Sequence, residues 1–411
     1  MLPFRKKVFF SWLWVVLCIL SIFLVVPIAR SVRNFVEERS TADIFGFSVI
    51  VVICIAFLIG FYLLWFRLKI RAFPNYLWLT VIACAYIFFT LKLWKRPEEA
   101  VHFLEYGLLG FLLFRALRHH IDDRSLYVTA FLIGALVGIF DEALQWMIPR
   151  RIWDVRDIGL NALSCGLSQI AIWKGIRPNF ASYRAQPKSI RTLSYLAVMI
   201  IILLALSLSN TPARVRVYTE SLPFLSFLRN EEPMAEDIRK HRDPEIGVFY
   251  SRLTLEELKR IDTERAEEYG LIFKEWSKKD YDDFLITFPG YARPFLHEMR
   301  VHIFRRNRRF SMSKKDEIPK KRIENLFIAY KENLILEKYF GRTLDESPYK
   351  WPQRRTKRIE SKIVKTSFYK SPVSAANYFP LNDLVLWTIV TGFVVSIFIF
   401  NLWFSHQKKS I

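Results

Sequence analysis

The stretch 140-FDEALQWMIPRRIWDVRDIGLN-161 links the end of one apolar run to the start of the next and carries many charges. Its ionisable residues are Asp141, Glu142, Arg150, Arg151, Asp154, Arg156 and Asp157. A charged side chain near the centre of a membrane-spanning helix costs about 2.5–3.5 kcal/mol on insertion scales. Such charges persist when they pair with one another or line a wet cavity. The stretch therefore predicts a polar cluster between membrane helices.

The composition indicates that the chain combines strongly apolar regions with strongly polar ones. The 411 residues are 52% hydrophobic and 16% aromatic, yet 24% are charged. The mean hydropathy is +0.17. These values are typical of a protein that combines membrane-spanning and polar regions. The formal net charge of +21 indicates contact with anionic lipid headgroups or with nucleic acid, and the topology decides between the two.

Apolar runs of roughly 20 residues, the length that crosses a bilayer, recur along the chain. We place eight spans near 8–29, 47–66, 76–94, 99–117, 126–148, 157–173, 192–208 and 384–404. The first run has a basic flank but no small-residue cleavage site after it. It therefore favours a retained anchor over a cleaved signal peptide.

Basic loops tend to stay in the cytoplasm. Lys and Arg are more frequent in segments on the side of the N-terminus, such as 67–71, 115–124 and 174–191, than on the opposite side. This bias predicts a multi-pass protein of the plasma (inner) membrane with both termini in the cytoplasm. The polar region 209–383 then faces outward, away from nucleic acid, so membrane lipids are the expected partners.

These observations predict the domain organisation. Residues 1–75 hold the first two spans, 76–175 hold spans three to six, 176–208 form a basic cytoplasmic loop and span seven, 209–383 form an extracytoplasmic domain, and 384–411 form the last span with a short cytoplasmic tail. The predicted fold class is an all-α polytopic membrane protein with about eight transmembrane helices and a mainly helical extracytoplasmic domain.

The outer region shows helical signals. Thr254 and Glu257 fit a capping box, and the helix that they begin is expected to end at Gly270 as a C-cap. Further helices are expected near 278–287, 294–308 and 321–340, followed by an extended return over 342–383.

Spans four to six each carry one polar stripe, because steps of three, four and seven residues return to one helical face. The stripe residues are Glu98, His102, Glu105 and Tyr106 in span four; Gly134, Gly138, Asp141 and Gln145 in span five, with Glu142 one step round; and Asp157, Asn161, Ser164 and Ser168 in span six. We expect these stripes to face one another at the outer end of the bundle. The glycines would permit close helix packing.

The same residues resemble the VanZ-like membrane family. The shared pattern is His-x-x-x-Tyr, Asp-Glu-x-x-Gln, Pro-x-Arg and Asp-x-x-x-Asn. It falls on His102, Tyr106, Asp141, Glu142, Gln145, Pro149, Arg151, Asp157 and Asn161, and covers about residues 75–175. The resemblance implies a bacterial integral membrane protein of the cell envelope. The family's namesake is linked to low-level resistance to the glycopeptide teicoplanin.

Three interpretations of the stripes remain open. In the structural one, Asp141 or Glu142 pairs with Arg151, and Asp157 pairs with Arg156 or Arg151. In the second, the stripes form a site at the outer membrane–water interface. Its catalytic candidates are His102, Glu142, Arg151 and Asp157, and its binding candidates are Tyr106, Asp141, Gln145 and Asn161.

Each catalytic candidate has a chemical role in the second interpretation. His102 serves as general acid or base near neutral pH, Glu142 orients it, and Arg151 holds a phosphate or carboxylate in bidentate fashion. The third interpretation is a metal or proton path through the same groups. No spacing demands a metal ion, so we predict neither a metal nor a cofactor.

The outer region contains two further motifs that bear on function. His297 and His302 are separated by five helical steps, which turn the rings about 140° apart, so a zinc-protease site is rejected. The basic run Arg305, Arg306, Arg308 and Arg309 is either a solvated face or a contact for anionic lipid headgroups.

The sequence thus predicts a VanZ-like envelope protein that binds or protects a lipid-linked or cell-wall component, with a possible link to glycopeptide resistance. The first alternative is a membrane enzyme that acts on an anionic lipid-linked substrate. The second alternative is a transporter of small ions or lipids.

Overall fold

A computed structural model describes residues 4–37, 43–94, 97–148, 153–176, 185–230, 233–363, 368–375 and 383–407. The chain divides into two compact units. The first, the membrane unit, comprises Met1–Ser209 and Asp383–Ile411. The second, the inserted unit, comprises Asn210–Asn382.

The membrane unit is a bundle of helices. Its helices are α1 (Phe4–Glu37), α2 (Asp43–Tyr62), α3 (Phe73–Lys92), α4 (Pro97–Leu117), α5 (Ser125–Trp146), α6 (Val155–Ile170), α7 (Pro187–Leu208) and α16 (Asp383–Gln407). Two of them, α2 and α6, continue as π-helical turns over Leu63–Arg67 and Ala171–Ile176. Each of the eight predicted spans therefore overlaps one helix.

Within the described residues, seven helices are long and apolar enough to cross a membrane by length and composition. The sixth predicted span is the exception. Its α-helical part, α6, has only 16 residues, and its polar stripe lowers its hydropathy. The predicted class of an all-α polytopic membrane protein is confirmed.

Glycines bring α4, α5 and α6 close together. A Cβ on Gly110 of α4 would lie 3.1 Å from the backbone oxygen of Cys165 in α6. A Cβ on Gly138 of α5 would lie 3.3 Å from the Cβ of Asn161. Both distances are tighter than ordinary side-chain contacts, so the absence of a side chain lets the helix backbones approach. The polar stripes consequently reach one another.

The α4–α5 loop is fixed by one buried carboxylate. Asp123 accepts hydrogen bonds from the backbone N–H of Ser125 at 2.8 Å, the backbone N–H of Gln186 at 2.9 Å and the hydroxyl of Ser189 at 2.7 Å. Burial raises the pKa of Asp123, but these donors outweigh it and lower the pKa below its usual value. The loop is thereby tied to the start of α7.

The inserted unit is mainly helical. Its helices are α8 (Pro212–Ser221), α9 (Leu255–Glu264), α10 (Ala266–Glu275), α11 (Tyr281–Thr287), α12 (Pro294–Lys315), α13 (Pro319–Tyr339), α14 (Gly341–Glu346) and α15 (Gln353–Glu360). It also contains an antiparallel hairpin of β1 (Arg239–Asp243) and β2 (Gly247–Ser251), which the sequence did not predict. Residues near Lys370 add a short parallel bridge to Val248 of β2.

The long helices α12 and α13 pack together, and their buried faces join residues of β2, α9, α10, α11 and α14 in the core of the inserted unit. Its fully buried side chains include Phe249, Phe273, Phe295, Met299 and Leu336. The extended return predicted over 342–383 is wrong in part, because α14 and α15 lie within it.

The capping box at the start of α9 is confirmed, since Thr254 accepts from the backbone N–H of Glu257 at 3.1 Å and the Glu257 carboxylate accepts from the backbone N–H of Thr254 at 2.7 Å. The predicted C-cap at Gly270 is wrong. The helix breaks at Arg265, and Gly270 is buried inside α10, where a Cβ would lie 3.1 Å from the backbone oxygen of Glu346. This glycine serves helix packing.

Candidate functional site

Two adjacent carboxylates near the end of α5 form the centre of the candidate site. Asp141 is 0% exposed and Glu142 is 2% exposed. The Tyr106 hydroxyl of α4, itself 0% exposed, donates to Asp141 Oδ2 at 3.2 Å. The stripes of α4 and α5 thus meet, as the sequence predicts.

Glu142 joins α5 to the start of α6. Its Oε1 accepts from Gln145 Nε2 at 3.2 Å, and its Oε2 accepts from the backbone N–H of Asp154 at 3.2 Å. Asp154 is the N-cap of α6 and accepts from the backbone N–H of Arg156 at 2.8 Å. A carboxylate beside a helix N-terminus is stabilised by the free N–H groups and the helix dipole.

Asn161 completes the junction of the three helices. It is 5% exposed and packs against α5 at Gly138, beside the ring of Tyr106. The structure therefore brings together Tyr106, Asp141, Glu142, Gln145 and Asn161 of the predicted site residues. We refer to these five residues as the carboxylate junction.

His102 lies on α4 toward a more accessible part of this region. Its Nδ1 is 3.1 Å from Glu105 Oε2, and the two side chains are 15% and 23% exposed. His102 is thus paired with Glu105 on its own helix, whereas the sequence interpretation gave the orienting role to Glu142.

Asp157 takes part in an ion bridge at the rim. Arg156 Nη2 lies 2.6 Å from Glu99 Oε2 of α4 and 3.2 Å from Asp157 Oδ1. The pairing of Asp157 with Arg156, expected in the structural interpretation, is present. The Arg156 side chain is 48% exposed, so this bridge is solvated.

Part of the predicted site lies outside the described residues, namely Pro149, Arg150 and Arg151. The side chain of Glu98 also lies outside them. The predicted role of Arg151 therefore stays a prediction.

The described part of this region is rich in hydrogen-bond acceptors. Carboxylates come from three helices, while the charged donors named above are Arg156 and, when protonated, His102. Such a set suits groups that donate hydrogen bonds, such as amines and hydroxyls. Among the described residues there is no group of three or more His, Cys, Asp or Glu placed to hold a metal ion.

The basic run of α12 is divided between two environments. Arg306 is 0% exposed. Its Nη1 donates to Asn333 Oδ1 at 2.9 Å, its Nη2 donates to the Tyr349 carbonyl at 2.6 Å, and its guanidinium lies 4.6 Å from the Trp351 ring centroid. The prediction of one solvated face is wrong for Arg306, because the helix turns it toward α13 and the core.

The other three arginines stay at or near the surface. Arg308 is exposed. Arg305 Nε donates to Glu332 Oε1 at 2.9 Å, and Arg309 Nη1 donates to Asn325 Oδ1 at 2.9 Å. Arg305, Arg308 and Arg309 thus remain candidates for an anionic ligand.

The two histidines of α12 face different partners. His302 Nδ1 lies 2.5 Å from Glu332 Oε2, while His297 Nδ1 lies 3.1 Å from the Phe288 carbonyl oxygen. This divergence agrees with the helical geometry that argued against a zinc-protease motif.

A buried acid in the inserted unit was missed by sequence reasoning. Glu332 is 0% exposed and accepts hydrogen bonds from Arg305, Ser371 at 3.0 Å and Tyr369, besides its contact with His302. Burial raises its pKa, but the charge and hydrogen bond of His302, with the other donors, lower the pKa overall. These partners come from distant parts of the chain, so no local motif signals the cluster.

The fold and the site together define an integral membrane protein whose helix junction holds buried carboxylates. Residues 4–175 match the model of the VanZ/LLP1 family. The resemblance is therefore confirmed, and this region of the chain is similar to the VanZ/LLP1 family. The match also includes α1 and α2, whereas the motif pattern covered only about 75–175. The inserted unit lies outside the match.

No curated protein matches the chain. No solved structure matches it.

Proposed function

We propose that the carboxylate junction binds a polar, hydrogen-bond-donating part of a lipid-linked or cell-wall component at the outer membrane–water interface. The observation that carries this proposal is the burial of Asp141 and Glu142 side by side, at 0% and 2% exposure, in a junction of three membrane helices. Ionisable groups inside a membrane bundle are costly, and they commonly mark a binding or transport site.

The position of the junction along the helices supports an interfacial site. Asp141 and Glu142 lie within two turns of the end of α5 at Trp146, and Glu142 contacts the start of α6. Because the positive-inside bias puts the N-terminus in the cytoplasm, this end of α5 would lie on the outer side. The inserted unit would then be extracytoplasmic.

The chemistry of the junction indicates which part of a ligand it holds. Carboxylate oxygens accept hydrogen bonds from ammonium and hydroxyl groups, and charge-assisted bonds are the stronger ones. An amine or sugar of an envelope precursor fits these acceptors. By its VanZ-like region, the protein is proposed to act in the bacterial cell envelope and to protect against glycopeptides.

The test compares Glu142→Gln and Asp141→Asn with wild type in cells that depend on the protein for teicoplanin tolerance. Both substitutions keep the side-chain size and remove the charge. We expect normal accumulation in the membrane and loss of tolerance. Asp122→Asn is the matched control, because Asp122 is exposed in the α4–α5 loop.

Two outcomes would contradict the proposal. Disappearance of both junction variants from the membrane, with Asp122→Asn normal, would assign the junction to scaffolding. Normal accumulation with full tolerance would show that the junction holds no ligand relevant to tolerance.

An enzyme is the second candidate, and the pair of His102 and Glu105 favours it. A carboxylate 3.1 Å from a partly exposed imidazole nitrogen can orient the ring for proton transfer. Mass spectrometry of the lipid-linked precursor pool tests this candidate. A product that is present with wild type and absent with His102→Gln would support catalysis. Identical precursor pools would contradict catalysis and leave binding as the remaining candidate function.

A further inference from the structure

The surface of the inserted unit contains a groove that the carboxylate junction does not explain. It has a volume of about 390 Å³ and is bordered by α11, α12 and the segment near Val373. This volume lies in the range of small-molecule sites, about 300–1,000 Å³. The groove uses none of the residues of the membrane unit.

One part of the groove is basic. Its lining includes Arg305, Arg308 and Arg309, and the described lining contains no Asp or Glu. Two of these guanidinium groups are held by hydrogen bonds, Arg305 to Glu332 and Arg309 to Asn325, each at 2.9 Å. Guanidinium groups that are already oriented lose less freedom when they bind a phosphate in bidentate fashion.

The remaining lining of the groove is largely apolar. The rings of Tyr281 and Phe304 stack with centroids 4.0 Å apart and form a flat wall. Met312 and Val373 also line it. Phe304 and Met312 are 36% and 37% exposed, so the wall presents hydrocarbon surface to a ligand next to the arginines.

We propose that this groove binds an anionic amphiphile, in which Arg305, Arg308 and Arg309 hold a phosphate group and the wall of Tyr281, Phe304 and Met312 holds the adjoining hydrocarbon. Neither part alone explains the arrangement. A solvated basic face needs no apolar wall beside it, and an apolar groove for a neutral ligand needs no cluster of arginines.

The test measures binding of dioctanoyl phosphatidate to the full-length protein in neutral-detergent micelles by calorimetry. Dioctanoylglycerol, which lacks the phosphate, and pyrophosphate, which lacks the hydrocarbon, are the comparison probes. We expect phosphatidate to bind at least about tenfold more tightly than either, since each half of the groove contributes a separate interaction. Equal binding of pyrophosphate would overturn the role of the wall, and equal binding of dioctanoylglycerol would overturn the role of the arginines.

The matched variants are Arg308→Gln and Lys315→Gln. Both residues are exposed on α12, and each substitution removes one positive charge, but only Arg308 lines the groove. We expect Arg308→Gln to weaken phosphatidate binding about tenfold and Lys315→Gln to leave it within about twofold. An equal loss of phosphatidate affinity in both variants would mean that binding reflects general electrostatic attraction, and it would overturn the proposed site.

The apolar wall is tested separately with Met312→Ser. This variant should weaken phosphatidate binding and leave any pyrophosphate binding unchanged. An unaltered affinity for phosphatidate would remove the wall from the site. Because Arg308 and Met312 belong to the inserted unit whereas Asp141 and Glu142 belong to the membrane unit, failure here is distinguishable from failure of the proposed function of the carboxylate junction.

Discussion

Glu332 of the inserted unit and Glu142 of the membrane unit are both buried glutamates at a helix junction, yet their surroundings differ. Glu332 is contacted by His302, Arg305, Tyr369 and Ser371. The described hydrogen-bond donors to Glu142 are one side-chain amide and one backbone N–H, neither of them charged.

This difference separates two uses of a buried acid. Glu332 has charged and neutral donors around both oxygens, so it links α12, α13 and the segment near Ser371 as a structural centre. Among the described residues, Glu142 accepts two hydrogen bonds, whereas two carboxylate oxygens can accept about four. The comparison teaches that saturation by donors, more than burial, distinguishes a structural acid from a candidate for binding.

The largest effect is expected at Glu332. Glu332→Gln removes the charge that His302 and Arg305 face, and breaking a buried pair in this way costs about 3–5 kcal/mol. Chemical denaturation of the purified protein, monitored by a signal that reports unfolding of the inserted unit, measures the loss in the free energy of unfolding. Glu324→Gln on the exposed side of α13 is the control and should change little. A loss below about 1 kcal/mol at Glu332 would remove the contrast with Glu142.

The second prediction concerns the buried side chain of Arg306, which also lies in the inserted unit. Arg306→Lys keeps a positive charge but loses the planar fork that reaches Asn333 and the Tyr349 carbonyl. We expect a loss of about 1.5–3 kcal/mol in the free energy of unfolding. Arg308→Lys on the exposed face should stay within about 0.5 kcal/mol. Equal stability of the two variants would contradict the buried role of Arg306.

Asp243 at the end of β1 adds a pH test. Burial raises its pKa, but hydrogen bonds from Lys338, Tyr339 and backbone N–H groups outweigh it and lower the pKa from 3.8 to about 2. A depressed pKa gives stability that is complete above about pH 4 and is lost as the pH falls toward 2. The wild type should lose about 2 kcal/mol more than Asp243→Asn over this window.

Unfolding titrations between about pH 5 and 2 measure this difference. The control is Asp345→Asn, whose side chain is 54% exposed. Its profile should follow that of the wild type. Parallel profiles for wild type and Asp243→Asn would show that the donors around Asp243 add no acid-sensitive stability.

The smallest effect is expected at the rim of the membrane junction. Arg156→Gln breaks the solvated bridge between Glu99 and Asp157, and exposed ion pairs contribute about 0–1 kcal/mol. Thermal unfolding in detergent should therefore shift only slightly. A loss comparable with that of Glu332→Gln would mean that ion pairs hold the helices of the membrane unit, which would erase the difference between the two units.

Periodicity predicted the membrane part of the fold well. The polar stripes followed helical spacing, so Tyr106, Asp141 and Asn161 could be assigned to facing helices before any coordinates were known. Their meeting depends on Gly138, whose small size was also visible in the sequence. The pairing of His102 with Glu105 was open to the same reasoning, since residues three apart are neighbours on a helix.

The inserted unit was harder to predict because its important contacts are distant in sequence. Glu332 and Tyr369 are 37 residues apart, and Arg306 looked like its exposed neighbours in a basic run. Only the packing of α12 against α13 decides which arginine is buried. The hairpin of β1 and β2 gave one local signal, an Asp-Pro turn sequence followed by Gly247, which has a positive φ of 113°.

The segment around Lys370 runs beside β2, with Val248 N–H donating to the Tyr369 carbonyl at 2.8 Å and Ser371 N–H donating to the Val248 carbonyl at 2.8 Å. The chain enters the inserted unit from α7 and leaves it toward α16, so both of its ends are anchored. One protease cut inside the unit should therefore release no fragment into solution, and shedding would require two cuts. The two fragments should also stay together, because the segment around Lys370, near the C-terminal end of the inserted unit, is hydrogen-bonded to β2 near its N-terminal end.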